Sequence, residues 1–210
     1  MATKIVALAN AKGGAGKSTL ACCLAAELAN RGQALTLIDA DPSGGARAWH
    51  EAGGALQAAV AFITDPTQGV TATAREAAKR GTVIIDAAGF ATSTLVAVLE
   101  AADIVLIPCR PSSLDAMRAI ETARLANEVA QARRKRVPVR IVLNSVVRSA
   151  MAPHIRHELE AAGVRVAAQE IGQRTAFAVA ANNGTAPCWM GANAIKAAEE
   201  IAGLANELDL

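Results

Sequence analysis

The sequence predicts one α/β domain over residues 1–210, a single doubly wound, mostly parallel sheet with helices on both faces. Three observations lead there. Short apolar runs alternate with segments of helical spacing along the whole chain. The length, 210 residues, suits one domain around one core. Apolar residues make up 52% of the chain, enough to cover a sheet on both sides, and alanine supplies much of that share. With three Phe, two Trp and no Tyr, close helix packing is expected in place of a bulky aromatic core.

Each element follows from its local pattern. Residues 4–9 form an apolar run that reads as a buried strand. Residues 17–30 have helical spacing, and Arg31-Gly32 reads as the helix end. A second strand, 34–38, closes on Asp39. Residues 72–79 read as helix, and 82–85 as a strand ending on Asp86. The strand 104–107 is stopped by Pro108. A helix over 114–132, a strand over 137–143 and a helix over 152–162 closed by Gly163 follow, then a short strand at 164–167 and a long final helix at 192–208. The segment 43–73, punctuated by Gly44, Gly45, Gly53, Gly54, Pro66 and Gly69, is the least regular and is expected to hold a mobile loop. Alternation of this kind builds a parallel sheet. There is no linker, repeat or low-complexity tract.

Composition excludes several classes. No run of about 18 uncharged apolar residues occurs, so no membrane span is indicated. The apolar run after Lys4 is too short, and too soon followed by Lys12, for a signal peptide, so a cytoplasmic protein is expected. Cys22, Cys23, Cys109 and Cys188 form no C-x-x-C pair and read as reduced, buried small hydrophobes. The net charge of +2 does not by itself indicate nucleic acid.

The strongest signal is Lys12-Gly13-Gly14-Ala15-Gly16-Lys17-Ser18-Thr19, between the first strand and the first helix. Glycines let successive backbone N–H groups converge on an anion, and the helix start adds the positive end of its dipole. Lys17 is placed to reach the β- and γ-phosphates of a nucleotide, and Ser18 to put its hydroxyl on Mg²⁺. Residues 13–19 are therefore the candidate phosphate-binding set. The common pattern G-x-x-x-x-G-K-[ST] is not met literally: Ala11 occupies the first glycine position, and Lys12 stands at the front of the loop. A glycine-rich turn with two surface lysines is the alternative reading.

A nucleotide–Mg²⁺ site needs acids at the carboxyl ends of neighbouring strands. Asp86 ends Val83-Ile84-Ile85 and is expected to hold Mg²⁺ through a water. Asp39 and Asp41 end Leu35-Thr36-Leu37-Ile38. One of them is placed to orient or deprotonate an attacking water, with helix capping or Asp-Pro turn chemistry as the alternative.

Together these segments resemble the ParA/MinD group of deviant Walker ATPases: the loop matches K-G-G-x-G-K-[ST], Asp39-Ala40-Asp41-Pro42 matches D-x-D-P, and Ile85-Asp86-Ala87-Ala88-Gly89 matches the Walker B strand and second switch. The likeness is greater to the short ParF-like partition proteins, through Ile107-Pro108-Cys109-Arg110-Pro111-Ser112-Ser113-Leu114-Asp115, Trp49, and Ile171-Gly172-Gln173-Arg174-Thr175-Ala176-Phe177, which resembles a segment beside the nucleotide. The resemblance implies Mg²⁺ and ATP as ligands and two subunits brought face to face, each presenting Lys12 to the partner's phosphates. It also implies Asp41 as the water-activating acid, Ser18, Asp39 and Asp86 around the metal, and Pro108 and Asn144 beside the nucleotide. A turn residue is the alternative reading of Asn144. Hydrolysis would be slow alone and stimulated by a ParB-like or cargo-adaptor protein, in the service of segregating plasmid or chromosome DNA or positioning other cargo. Two departures stand out: Ser43 follows D-x-D-P where many relatives have Gln, and Ala87-Ala88-Gly89 follows Asp86 where many chromosomal relatives have Thr-Pro-Pro.

The same resemblance implies non-specific DNA binding by the ATP dimer, and hence nucleoid association. The candidate cations are Arg133-Arg134-Lys135-Arg136, Arg140, Arg148, Arg156, Arg165 and Lys196, although the Arg133–Arg136 run taken alone reads as a solvated helix end. A MinD-type membrane ATPase is excluded because residues 199–210 are acidic where a basic amphipathic helix is needed. An iron–sulfur carrier lacks suitably spaced cysteines, and a bacterial tyrosine kinase would need a tyrosine tail. A P-loop metabolic enzyme acting on a small molecule remains the rival, with 43–73 as the segment that would supply its extra pocket.

Overall fold

The computed structural model describes residues 3–89, 93–147 and 151–210. In chain order the elements are β1 (Ile5–Leu8), α1 (Lys17–Asn30), β2 (Leu35–Ala40), α2 (Gly45–Glu51), α3 (Ala55–Ala59) and β3 (Ala61–Thr64). Then come α4 (Val70–Ala77), β4 (Thr82–Ala87), α5 (Ser93–Ala101), β5 (Ile104–Cys109), α6 (Ser113–Ala132), β6 (Val139–Val146) and α7 (Met151–Ala161). The chain closes with β7 (Ile171–Gly172), α8 (Thr175–Asn182), two 3₁₀ turns (Pro187–Trp189 and Gly191–Ala194) and α9 (Ile195–Glu207).

The seven strands form one parallel sheet in the order β3-β2-β4-β1-β5-β6-β7. Strands β1, β2, β4 and β5 are buried along their whole length, as both-sided cover requires, and so read as apolar runs without alternation. One face carries α1, α2, α3, α8 and α9, and the other carries α4 to α7. Helix α1 is central. Leu20, Leu24 and Leu28 are fully buried, and Ala21, Cys22, Cys23, Ala25 and Ala26 let its neighbours approach closely. Burial raises the thiol pKa of Cys22 and Cys23, which keeps both protonated. Lys4 Nζ donates to the carbonyls of Leu208 and Asp209, tying the end of α9 to the start of β1.

Register positions the site. Asp39 and Asp86 are directly paired across β2 and β4, and Leu8 is paired with Asp86 across β1 and β4. The order of strands reverses around β1, so the loop after it opens at the switch point of the sheet, the crevice where ligands bind in such folds.

Several expectations are corrected. The segment 43–73 is ordered as α2, α3, β3 and the start of α4. Its elements are too short to show a period, but Trp49, Leu56, Val60 and Val70 are buried and pin each one. Helix α5, mostly apolar (Ser-Thr-Leu-Val-Ala-Val-Leu-Glu-Ala), and α8 escaped the periodicity reading. Residues 164–167 make only an isolated bridge, Val166 to Ile141, and the seventh strand lies at Ile171–Gly172. The last helix begins at Ile195, after a 3₁₀ turn.

The α2–α3 corner docks on the turn after α8. Leu56 N–H donates to Gly184 O at 2.9 Å, and a methyl group at Gly54 would stand 2.2 Å from the carbonyl oxygen of Asn183. Gly54→Ala should therefore lower stability by about 2 kcal/mol, in the range of overpacking substitutions. Chemical denaturation checks this, and an unchanged midpoint would contradict the described contact.

Candidate nucleotide site

The loop between β1 and α1 takes its shape from two glycines. Gly14 has φ 74° and Gly16 φ 98°, the left-handed region that other residues enter at a cost. Gly16 also lies under Asn144, whose Nδ2 would be 2.1 Å from a Cβ there and which donates to Ala15 O at 2.8 Å. No side chain caps the start of α1, so its N–H groups are free for an anion. Lys17 is buried on the floor, with Nζ 3.4 Å from Lys12 O.

The loop is braced from behind. Asn10 is fully buried. Its Oδ1 accepts from Lys12 N–H at 2.8 Å and its Nδ2 donates to Pro108 O at 2.7 Å. Thr122 Oγ1 accepts from Ala11 N–H at 3.2 Å. Lys12 lies outside the cleft lining and packs against α6, with Nζ 2.7 Å from the buried Asp115 Oδ1. Asp115 is itself fixed by Ser112, which caps α6.

Three acids stand below and beside the loop. Asp86 is fully buried, and among the described residues neither oxygen has a hydrogen-bond partner of good geometry. Burial pushes its pKa up to about 7. The Ser18 hydroxyl beside it opposes that rise, the charge of Asp39 adds to it, Lys17 opposes it, and Asp41 adds a little more. Asp39 is equally buried, but its oxygens accept from Asp41 N–H at 3.0 Å and Arg47 N–H at 2.8 Å. Burial still holds its pKa above the ordinary carboxylate value against those two bonds. Asp41 is partly exposed, and its Oδ1 accepts from the Ser43 N–H and hydroxyl at 2.9 and 2.7 Å.

Above these groups opens a cleft of about 820 Å³, within the usual size of small-molecule sites. Its phosphate end is formed by Gly13, Gly14, Gly16, Lys17, Ser18 and Thr19, with Asp41 and Gly89 opposite. The lining continues through Trp49, Asn144, Gln173, Phe177 and Ala178. Trp49 Nε1 donates to Thr185 O at 2.8 Å, and Arg174 pairs with Glu200 at 2.5 Å. The shape suits a polyphosphate joined to a flat, partly apolar group.

The expected residues thus gather at one place, with four qualifications. Ala15 and Pro108 are buried behind the lining, Asp39 and Asp86 lie under it, Asp39 has spent its oxygens on backbone, and Lys12 points away. Asn10 and Thr122, which hold the loop, carry no motif that marks them, and Asn10 is signalled only by its place between strand and loop; Asp115, which holds Lys12, is marked in the sequence only as the last residue of the 107–115 segment, without a role. The basic run 133–136 joins α6 to β6 and so lies at the sheet edge opposite the cleft. Arg133 donates to Leu99 and Ala102 carbonyls, Lys135 pairs with Asp103, and Arg156 pairs with Glu170 at 2.8 Å. Arg148 lies outside the described residues.

A glycine-shaped loop opening a helix at the switch point of a parallel sheet, with an aspartate ending the adjacent strand, defines a P-loop nucleotide-binding domain. The model of the CobQ/CobB/MinD/ParA nucleotide binding domain matches residues 6–188, and the chain belongs to that family. It is 32% identical over 177 residues to Protein ParA of Rhizobium radiobacter, covering 82% of this chain and 80% of the relative. It is 30% identical over 210 residues to Maintenance of carboxysome distribution protein A of Halothiobacillus neapolitanus, covering 97% and 95%. Among solved structures, the ATP complex of a Cyanothece McdA variant aligns with a TM-score of 0.78 at 16% identity over 100% of this chain and 97% of that one. The cell division ATPase MinD of Pyrococcus furiosus aligns at 0.76 and 17% identity over 100% and 99%. Among the described residues no helix is long and apolar enough to cross a membrane.

A buried carboxylate whose folded pKa is raised stabilises the fold only while protonated. In metal-free protein, stability should therefore fall as pH rises from 3.8 toward about 7, the interval between the two values. Asp86→Asn should remove that component, and thermal melts across this pH range in EDTA check it. A variant less stable than wild type at pH 7.5 would contradict the assignment of an uncompensated charge.

Proposed function

We propose that this chain is an ATPase of the ParA/MinD type that binds Mg-ATP in the cleft, dimerises with it, and uses hydrolysis to segregate DNA or position cargo. The observation that supports this most is the split between the two loop lysines. Lys17 is inside the cleft. Lys12 has its backbone fixed at the loop and its ammonium on the outer rim, where a second subunit's phosphates could meet it.

The roles follow from the geometry. The loop N–H groups from Gly13 to Thr19, with Lys17, would hold the phosphates. The orphaned oxygens of Asp86 and the Ser18 hydroxyl fit Mg²⁺. Among the described residues no group of three His, Cys, Asp or Glu could cage a metal, which suits an ion that relies on water and substrate phosphates. When bound, Mg²⁺ neutralises charge on the β- and γ-phosphates. Asp39 would serve at its outer shell while clamping the turn that carries Asp41. Asp41, the exposed member, would orient the attacking water and accept its proton. Pro108 would act at a distance, through Asn10, and Asn144 would border the base while setting Ala15. The segment 43–73, which in a metabolic enzyme could hold part of a second-substrate pocket, folds as α2, α3, β3 and the start of α4, and its Ser43 and Trp49 line this same cleft. Stimulation by an adaptor protein and non-specific DNA binding by the dimer belong to the same proposal. Arg134, Arg136 and Arg165, exposed at the edge opposite the cleft, are its candidate DNA contacts.

Light scattering on size-exclusion peaks tests the switch. Wild type should be monomeric with ADP and shift toward dimer with Mg-ATP. Asp41→Ala should accumulate as ATP dimer with turnover reduced at least about a hundredfold, the scale of a lost general base. Lys12→Ala should bind ATP yet stay monomeric. A wild type that turns over ATP as a monomer in all conditions would overturn the proposal. A gel shift titrated with salt should show DNA retained only with ATP and released as salt rises; no binding at low salt would remove the DNA component.

A further inference from the structure

We infer that Arg110 is a phosphate-contacting residue of its own subunit's cleft, one that distinguishes ATP from ADP. The inference rests on the reading of the cleft as an ATP site and goes beyond it, because the phosphate set identified so far comes only from the β1–α1 loop and the acids beside it.

Arg110 is the first residue after β5, and β5 is the neighbour of β1 in the sheet. Its backbone is held: its carbonyl accepts from Ser112 N–H at 2.8 Å, and Pro111 and the Ser112 cap follow at once. Its side chain is exposed and lines the cleft. One terminal nitrogen, Nη2, stands 4.0 Å from the position a Cβ would take on Gly14, so the guanidinium hangs over the outer turn of the phosphate loop.

What sets Arg110 apart is the state of its charge. Among the described residues three cations line the cleft: Lys17, Arg110 and Arg174. Lys17 is buried on the floor, and Arg174 is neutralised by Glu200. Lys12, at the same rim as Arg110, is neutralised by Asp115. Among the described residues Arg110 makes no side-chain hydrogen bond or ion pair. A planar fork of five donors held over an anion cradle without a carboxylate partner is suited to bidentate contact with phosphate oxygens. Lys17 and the helix start approach the phosphates from the floor, and Arg110 approaches from the rim. The rim is where the terminal phosphate of ATP would project and where ADP would have none.

Calorimetric titration with Mg-ADP and with a non-hydrolysable Mg-ATP analogue tests this on wild type, Arg110→Ala and Arg110→Lys. Arg110→Ala should weaken the analogue about tenfold, the scale of a hydrogen bond to a charged group, with ADP affinity changed less than about twofold. Arg110→Lys should fall between, having the charge without the fork. The unchanged ADP affinity serves as the folding control. The loss should persist in a Lys12→Ala background, since the contact is made within one subunit. Equal weakening of both nucleotides, no weakening of either, or an effect that vanishes with Lys12→Ala would each overturn the inference and leave the ATP site standing. A wild type that binds neither nucleotide would remove both.

Discussion

The structure depends on one carboxylate without a partner. Asp86 lies at the carboxyl end of the apolar strand β4, fully buried, with no hydrogen bond of good geometry to either oxygen among the described residues. Holding an ionised group in such a place costs several kcal/mol, and its pKa near 7 expresses that cost. Around it the fold sets groups that make sense only together: Ser18 in the first turn of the helix, Lys17 on the floor, Asp39 in register on β2. In the proposed site a doubly charged cation with an anionic ligand would resolve the conflict, and the helix start would supply the positive end for that anion. Stability is given up here for binding, a pattern expected of functional sites.

The second theme is coupling between the two ends of the cleft. Asp39 holds Arg47 N–H, and so α2, to the strand end. Two residues further on, Trp49 lines the cleft and bonds to the turn after α8, the helix that contributes Phe177 and Ala178 to the same lining. At the rim, Lys12 rests on Asp115, a buried acid that is uncovered whenever Lys12 leaves. In the proposed dimer, moving Lys12 to a second subunit would carry the cost of uncovering Asp115, which would favour a switch that moves only when nucleotide is in place.

Much of this was legible in the sequence because the informative residues are constrained by chemistry. Gly13, Gly14, Gly16, Lys17 and Ser18 sit at spacings that few other purposes require, and the aspartates end apolar runs that only a buried parallel strand explains. The parts that were not legible depend on tertiary contact. Segment 43–73 looked irregular because α2, α3 and β3 are each shorter than the window in which a period shows. Helix α5 shows only Ser93 and Glu100 on its exposed strip, too narrow a polar face to reveal a period. Asn10 and Asp115 act through partners about a hundred residues away in the chain, and no local pattern records that. Asp39 could be placed at the site from sequence, but not its commitment to two backbone amides.

The central claim is that Lys12 is stored in the free subunit for use on a partner. A crystal structure of Asp41→Ala with Mg-ATP tests it most directly. The account predicts two subunits facing each other across their clefts, each Lys12 detached from Asp115 and within hydrogen-bond distance of the partner's phosphates. A nucleotide-bound subunit standing alone, with Lys12 still on Asp115, would contradict it.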